Sequence, residues 1–123
     1  MAKPGKTGIS RLFDAFNYSL KGLLAAWQNE AAIRQETGLI ILLTPLAFYI
    51  GENAIQIIIL VCSVVLIIIV ELINSAIENV VDRIGDEYHL LSGRAKDIGS
   101  AAVLITLCLG VFNWVMIIVE NYF

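Results

Sequence analysis

Hydrophobic and polar positions along the chain fall into four successive patterns. From Ile9 to Asn29, the residues Ile9, Leu12, Phe13, Phe16, Leu20, Leu23, Leu24 and Trp27 recur at helical spacing. Arg11, Asp14, Lys21 and Gln28 lie mostly elsewhere on the wheel. Beside the long apolar runs that follow, this stripe predicts a helix lying in a membrane interface rather than one packed on a protein core. Thr37–Ile50 is apolar but short, and alone it is ambiguous with a re-entrant segment. Extended back through Ala31–Glu36, it reaches the roughly 20 residues that a span needs, with Pro45 as a candidate kink. A third helix is expected from Ile55 to about Arg83. Ile98–Val119 carries no charge and is the clearest span. The expected architecture is all-α and membrane-embedded, in a single domain. An interfacial helix at 9–29 precedes transmembrane helices at 31–50, 55–83 and 97–120.

Composition supports lipid as the solvent. Of 123 residues, 59% are hydrophobic and 15% charged, against about a quarter charged in soluble domains. A soluble fold of this size has too little interior for so much apolar side chain. The net charge of −3 gives no reason to expect nucleic acid. Cys62 and Cys108 each sit inside an apolar run and read as small fillers rather than a disulfide or a metal pair. The segment MAKPGKTGIS has no apolar core and no cleavage site, so no removable signal peptide is expected.

Basic residues fix the expected orientation. Lys3, Lys6, Arg11, Lys21 and Arg34 precede or open the first span, and Arg83, Arg94 and Lys96 lie between the second and third. The link Gly51–Ala54 and the C-terminus have none. Three spans place all eight on one side, which the positive-inside rule makes the cytoplasm. The N-terminus is then cytoplasmic and the C-terminus periplasmic, in the inner membrane.

The informative chemistry lies on the second span, which continues VELINSAIENVVDRIGDEYH. At about 100° per residue, Glu71, Glu78 and Asp82 fall within about 40° of one another, and Asn74 lies about 60° from Glu71. An ionised carboxylate within a membrane costs about 3 kcal/mol or more. Such groups line a site, bind a cation or carry protons. A hydrocarbon core of about 30 Å counted from Ile55 ends near Asn74. Glu71 is then just inside the cytoplasmic boundary, and Glu78 and Asp82 lie at the headgroups, where plain solvation is the bland reading. Trp27–Glu30, Arg34–Glu36, Asp86–His89 and Ser92–Asp97 are expected at the same surface. They serve equally as positive-inside anchors and solvated loop, or as partners of the carboxylate face. Paired carboxylates with Asn74 and nearby cations suit magnesium carrying phosphates. No Walker loop or glycine-rich kinase loop is present.

The stretch Glu71-Leu72-Ile73-Asn74-Ser75-Ala76-Ile77-Glu78-Asn79-Val80-Val81-Asp82-Arg83-Ile84-Gly85 resembles the signature of prokaryotic diacylglycerol kinases. So do Glu87-Tyr88-His89 and the run from Ser92 through Arg94, Lys96 and Asp97 to Leu104. Tyr18-Ser19, Lys21-Gly22-Leu23, Ala25–Ala32 and Arg34-Gln35-Glu36 also match, so the resemblance covers nearly the whole chain in order.

The resemblance implies a homotrimer of three-span subunits with active sites shared between subunits. The implied reaction transfers the γ-phosphate of ATP, with Mg2+, to diacylglycerol and gives phosphatidic acid. It makes Glu71 the general base, with Asn74 near the reacting groups and Glu30 and Glu78 as magnesium carboxylates that also meet ATP. Arg11, Tyr18, Glu87, Tyr88, His89, Lys96 and Asp97 correspond to ATP-contacting positions. Ser19, Arg34, Gln35, Glu36, Ser100 and Trp114, with Glu71, correspond to positions near the lipid. Leu20 and Phe16 depart from the family pattern on the lipid side. Two other functions are open. Undecaprenol kinase shares the Glu-Leu-Ile-Asn-x-Ala-Ile-Glu core, and a small proton-coupled transporter could be built on one membrane glutamate.

Overall fold

The computed structural model describes Gly5 and residues 7–123. Lys3 and Lys6, counted above among the basic residues, lie outside the described residues. Four α-helices follow in order: α1 Ile9–Asn29, α2 Ala31–Ile50, α3 Ala54–Ile84 and α4 Leu90–Tyr122. The chain divides into two units, one ending at Ala31 and one running from Ala32 to Phe123.

In the first unit α1 buries none of its residues, and Ile9, Leu12, Phe13 and Phe16 are all well exposed. The Nζ of Lys21 stands 5.8 Å from the centre of the Tyr18 ring, a cation–π contact one turn along the helix. The helix ends where Glu30 turns to an extended conformation, its N–H still donating to Ala26 O at 2.9 Å.

In the second unit α2, α3 and α4 are each long and apolar enough to cross a membrane. The 31 residues of α3 extend about 46 Å, more than a hydrocarbon core of about 30 Å, so one end must stand clear of it. Pro45 lies inside α2, which remains one helix to Ile50. The turn into α3 is tight: a Cβ on Gly51 would stand 2.5 Å from Ile57 Cγ1 and 3.0 Å from Ala47 O. Asn53 then caps α3, its Oδ1 accepting from Gln56 N at 3.0 Å.

The helices join through small residues and polar side chains, as expected where lipid supplies no hydrophobic drive for helix association. Asn113 Nδ2 donates to Ser63 Oγ at 2.9 Å, and Trp114 Nε1 donates to Leu60 O at 3.2 Å, both tying α4 to α3. Gly110 brings α4 close to α3: a Cβ there would sit 3.5 Å from Ile67 Cδ1. At the end remote from Glu71, Asn121 Nδ2 donates to Ile50 O and to Gln56 Oε1, each at 2.9 Å. Gln56 Nε2 returns a bond to Asn121 Oδ1 at 3.1 Å. Ala47, Ile50, Leu60 and Ile117 form the buried core beside this clasp. Cys62 and Cys108 are free and exposed.

The fourth helix differs from the sequence expectation at its start. It begins at Leu90, so Ser92–Asp97 is helical rather than loop. His89 caps it, Nδ1 accepting from Leu91 N at 3.1 Å. The charges of Arg94, Lys96 and Asp97 limit how much of α4 fits in hydrocarbon, but they do not end a helix.

Candidate active site

The buried arc of α3 explains where its polar side chains sit. Leu60, Val64, Ile67, Glu71, Asn74 and Ser75 are all buried, at the 3.6-residue period of a face turned inward. Before Ile67 the buried polar residues Gln56 and Ser63 bond to α4, and from Glu71 onward the buried face is polar. Glu71 is 8% exposed and Asn74 7%, so the carboxylate is shielded from solvent within the chain itself. Glu36, half-buried on α2, is near enough for its carboxylate and that of Glu71 to repel, and its Oε2 is buried without a hydrogen-bond partner.

Asn74 links this deeper group to the next turn. Its Nδ2 donates to Glu78 Oε1 at 3.4 Å, a long bond, while its Oδ1 is buried and unpartnered. Gly99 of α4 makes that placement possible, because a Cβ there would run into Asn74 Oδ1 and stand 3.3 Å from its Cγ. Glu78 is half-buried, and Asp82, a turn further, is exposed. Glu71 and Glu78 are separated by about 10 Å along the axis.

At the end of α3 the charges pair across to α4. Lys96 Nζ meets Asp82 Oδ1 at 2.7 Å and also feels the field of Glu78. Both side chains are largely exposed, at 42% and 63%, so this bridge orients the lysine more than it stabilises the fold. Beside it opens a cleft of about 320 Å³, lined by Asp82, Gly85, Glu87, Tyr88, His89 and Lys96 among others. Tyr88 is 86% exposed and has its ring free to meet a planar ligand.

The second unit therefore brings together Glu36, Glu71, Asn74 and Glu78 along one face, and Glu87, Tyr88, His89 and Lys96 around one cleft. Arg34 and Gln35 are exposed on the first turns of α2, and Asp97 and Ser100 are exposed on α4. Trp114 lies deeper, its indole engaged with Leu60 O and its ring on an apolar groove shared by α2, α3 and α4. Arg11, Tyr18 and Ser19 belong to α1, where Ser19 Oγ donates to Ala15 O at 2.9 Å. Glu30 is the extended residue between α1 and α2. Among the described residues no three His, Cys, Asp or Glu side chains cluster as a metal site. A magnesium ion that arrives on phosphates needs only one or two protein carboxylates, and Glu30 and Glu78 are of the right chemistry. Sequence reasoning missed the contact of Gly99 with Asn74 and the burial of Ser75; the small residues Gly99 and Ser75 are the only signal it offered.

The fold and site define a class: helical membrane proteins with a polar, acidic face at one end of an apolar bundle. The sequence profile of prokaryotic diacylglycerol kinase matches residues 17–118. The chain is 52% identical to the diacylglycerol kinase of Escherichia coli K12 over 94% of its length and 95% of that relative. It is 52% identical to the diacylglycerol kinase of Haemophilus influenzae, covering 88% and 92% of the two chains. It is 47% identical to that of Pseudomonas aeruginosa, covering 93% of each. The chain belongs to the prokaryotic diacylglycerol kinase family.

Proposed function

We propose that this protein phosphorylates diacylglycerol at the cytoplasmic face of the inner membrane, using ATP and giving phosphatidic acid. The observation that carries the proposal is the buried Glu71 one turn from Asn74 and two turns from Glu78, in a chain of this family. Glu71 accepts the proton of the lipid hydroxyl as that oxygen attacks the γ-phosphorus and ADP leaves. Its position near the hydrocarbon boundary suits a hydroxyl whose acyl tails hold it at that depth. Asn74 fixes the spacing between base and metal carboxylate. Glu30 and Glu78 offer oxygens to Mg2+, which supplies neutralisation of phosphate charge when bound. Arg11, Tyr18, Glu87, Tyr88, His89, Lys96 and Asp97 bind the nucleotide, with Lys96 oriented by Asp82. Ser19, Arg34, Gln35, Glu36, Ser100 and Trp114 face the lipid. Phosphoryl transfer depends mostly on positioning and charge neutralisation, which these groups supply without a Walker loop.

Assembly as a homotrimer covers the acidic face. Within one chain Glu71 is covered but Glu36 and Glu78 are only half-buried, and exposure of carboxylates to lipid is costly. Of the small residues Gly99, Ser100, Ala101 and Ala102, Gly99 is taken up by Asn74 of its own chain, and the exposed Ser100, Ala101 and Ala102 permit close approach of a neighbouring helix.

Purified protein in mixed micelles, given labelled ATP and either diacylglycerol or undecaprenol, is expected to label the diacylglycerol. Labelling of undecaprenol alone moves the assignment to the sister lipid kinase, and labelling of neither rejects both. The proposed orientation, N-terminus cytoplasmic and C-terminus periplasmic, has its own check. In a variant lacking Cys62 and Cys108, a cysteine at position 53 should react with an impermeant thiol reagent from the periplasmic side, and one at position 92 should not. Equal labelling removes the three-span topology.

A further inference from the structure

Ser75 lies one turn beyond Glu71 on α3, is 4% exposed, and has an Oγ with no hydrogen-bond partner. Three other hydroxyls of the second unit behave differently. Thr37, Ser63 and Thr106 donate to the carbonyl four residues earlier at 2.7, 2.7 and 2.8 Å. That return bond is the ordinary way for a hydroxyl in an apolar helix to satisfy its proton. Ser75 forgoes it, although a buried hydroxyl without a partner carries a desolvation penalty. Its donor proton is uncommitted.

The surroundings are rich in acceptors. Glu71 is buried beside it, and Glu36 presents a buried, unpartnered Oε2 from α2. Asn74 directs its amide protons to Glu78 at 3.4 Å and keeps an unpartnered Oδ1. The charged group that acts on Glu71 is Glu36 from α2; Glu78 and Asp82 lie two and three turns further along α3, and Lys96 from α4 is held by Asp82 at 2.7 Å. Helical side chains lean toward the N-terminus, so Ser75 leans back over the turn that carries Glu71. Residues four apart have Cβ atoms about 5–6 Å from one another, within reach of a serine hydroxyl and a glutamate carboxylate. A hydroxyl this buried is placed to act on a protein group rather than on a lipid or nucleotide.

We infer that Ser75 is a positioning residue for the base: its hydroxyl donates to the Glu71 carboxylate, by rotation about χ1, and so fixes which oxygen faces the lipid hydroxyl. The inference rests on the kinase reading. No atom of Ser75 enters the reaction. The bond adds a restraint to a carboxylate that Glu36 repels, and it leaves the second carboxylate oxygen to take the proton.

The test uses Ser75→Ala, Ser75→Cys and Ser75→Thr in the full-length protein, in mixed micelles with diacylglycerol and Mg-ATP. Ser75→Cys preserves volume but not a strong donor, so it separates packing from hydrogen bonding. Ser75→Ala and Ser75→Cys are expected to lower kcat about tenfold, with KM for both substrates within about twofold of wild type. Ser75→Thr is expected to recover most of that loss. In a Glu71→Gln background, Ser75→Ala should have no further effect, since groups that act as a unit are not additive. Wild-type kcat for Ser75→Ala overturns the role of Ser75, and so does an undiminished tenfold loss in the Glu71→Gln background. A wild-type protein that labels no diacylglycerol is a different result: it rejects the kinase reading and the role of Ser75 with it.

Discussion

Replacing Glu71 by Gln is expected to lower kcat by about 10³-fold, within the range that a positioned general base contributes, while KM for Mg-ATP changes little. Gln keeps the volume and hydrogen-bonding outline of Glu but cannot take a proton. The loss therefore falls on turnover rather than on nucleotide affinity, the signature of an interaction made in the transition state. Stability should move the other way. Glu71 is 8% exposed and near enough to Glu36 for the two carboxylates to repel. Removing that buried charge relieves both repulsion and desolvation, so the variant should withstand heat or denaturant at least as well as wild type. Glu78→Gln provides the contrast. It leaves the base intact and removes one proposed magnesium carboxylate, so its defect should appear as weaker Mg-ATP binding. Turnover at saturating substrate and nucleotide titration decide the matter. Near-normal kcat for Glu71→Gln removes the residue from the base role.

The all-helical fold and its three long apolar helices were legible because membrane spans announce themselves by length and hydropathy alone. The polar face of α3 was legible for a related reason. A carboxylate between Val70 and Leu72 has no soluble context, and 3.6 residues per turn place Asn74 and Glu78 beside it. What escaped was set by tertiary contact. Charge places the membrane-spanning part of the last helix from Asp97 onward, whereas the helix itself begins at Leu90 behind the His89 cap. Charge reports where a segment leaves hydrocarbon, and capping reports where a helix begins, and the two need not coincide. Ser75 looked like an ordinary small residue of the signature. Only the packed structure shows that its hydroxyl is buried and makes no bond back to its own helix. Gly99 likewise gave no sign of what it faces, because the neighbour belongs to another helix.

That glycine carries the second large expected effect. A Cβ at position 99 would run into Asn74 Oδ1, so Gly99→Ala forces either the amide or the helix to move. The helices resist separation. Asn113 with Ser63, Trp114 with Leu60 and Asn121 with Gln56 hold α4 against α3 along the rest of its length. The amide is easier to displace, since it is the end of a side chain and its bond to Glu78 is already long at 3.4 Å. Asn74 should therefore swing away from Glu78 and from its place beside Glu71. The cost of overpacking, about 1–3 kcal/mol, is partly offset by the gain of about 1 kcal/mol when alanine replaces glycine within a helix. Stability should change little while kcat falls, on the order of 10- to 100-fold, because a small misplacement of reacting groups is expensive in rate. A double-mutant cycle isolates the cause. If the effect of Gly99→Ala passes through Asn74, adding it to Asn74→Ala should lower kcat no further, because the side chain it displaces has gone. Fully additive losses in the cycle, or a stable Gly99→Ala variant with wild-type turnover, would show that the close approach of α4 at Gly99 serves packing alone and that the position of the Asn74 amide is not what the glycine protects.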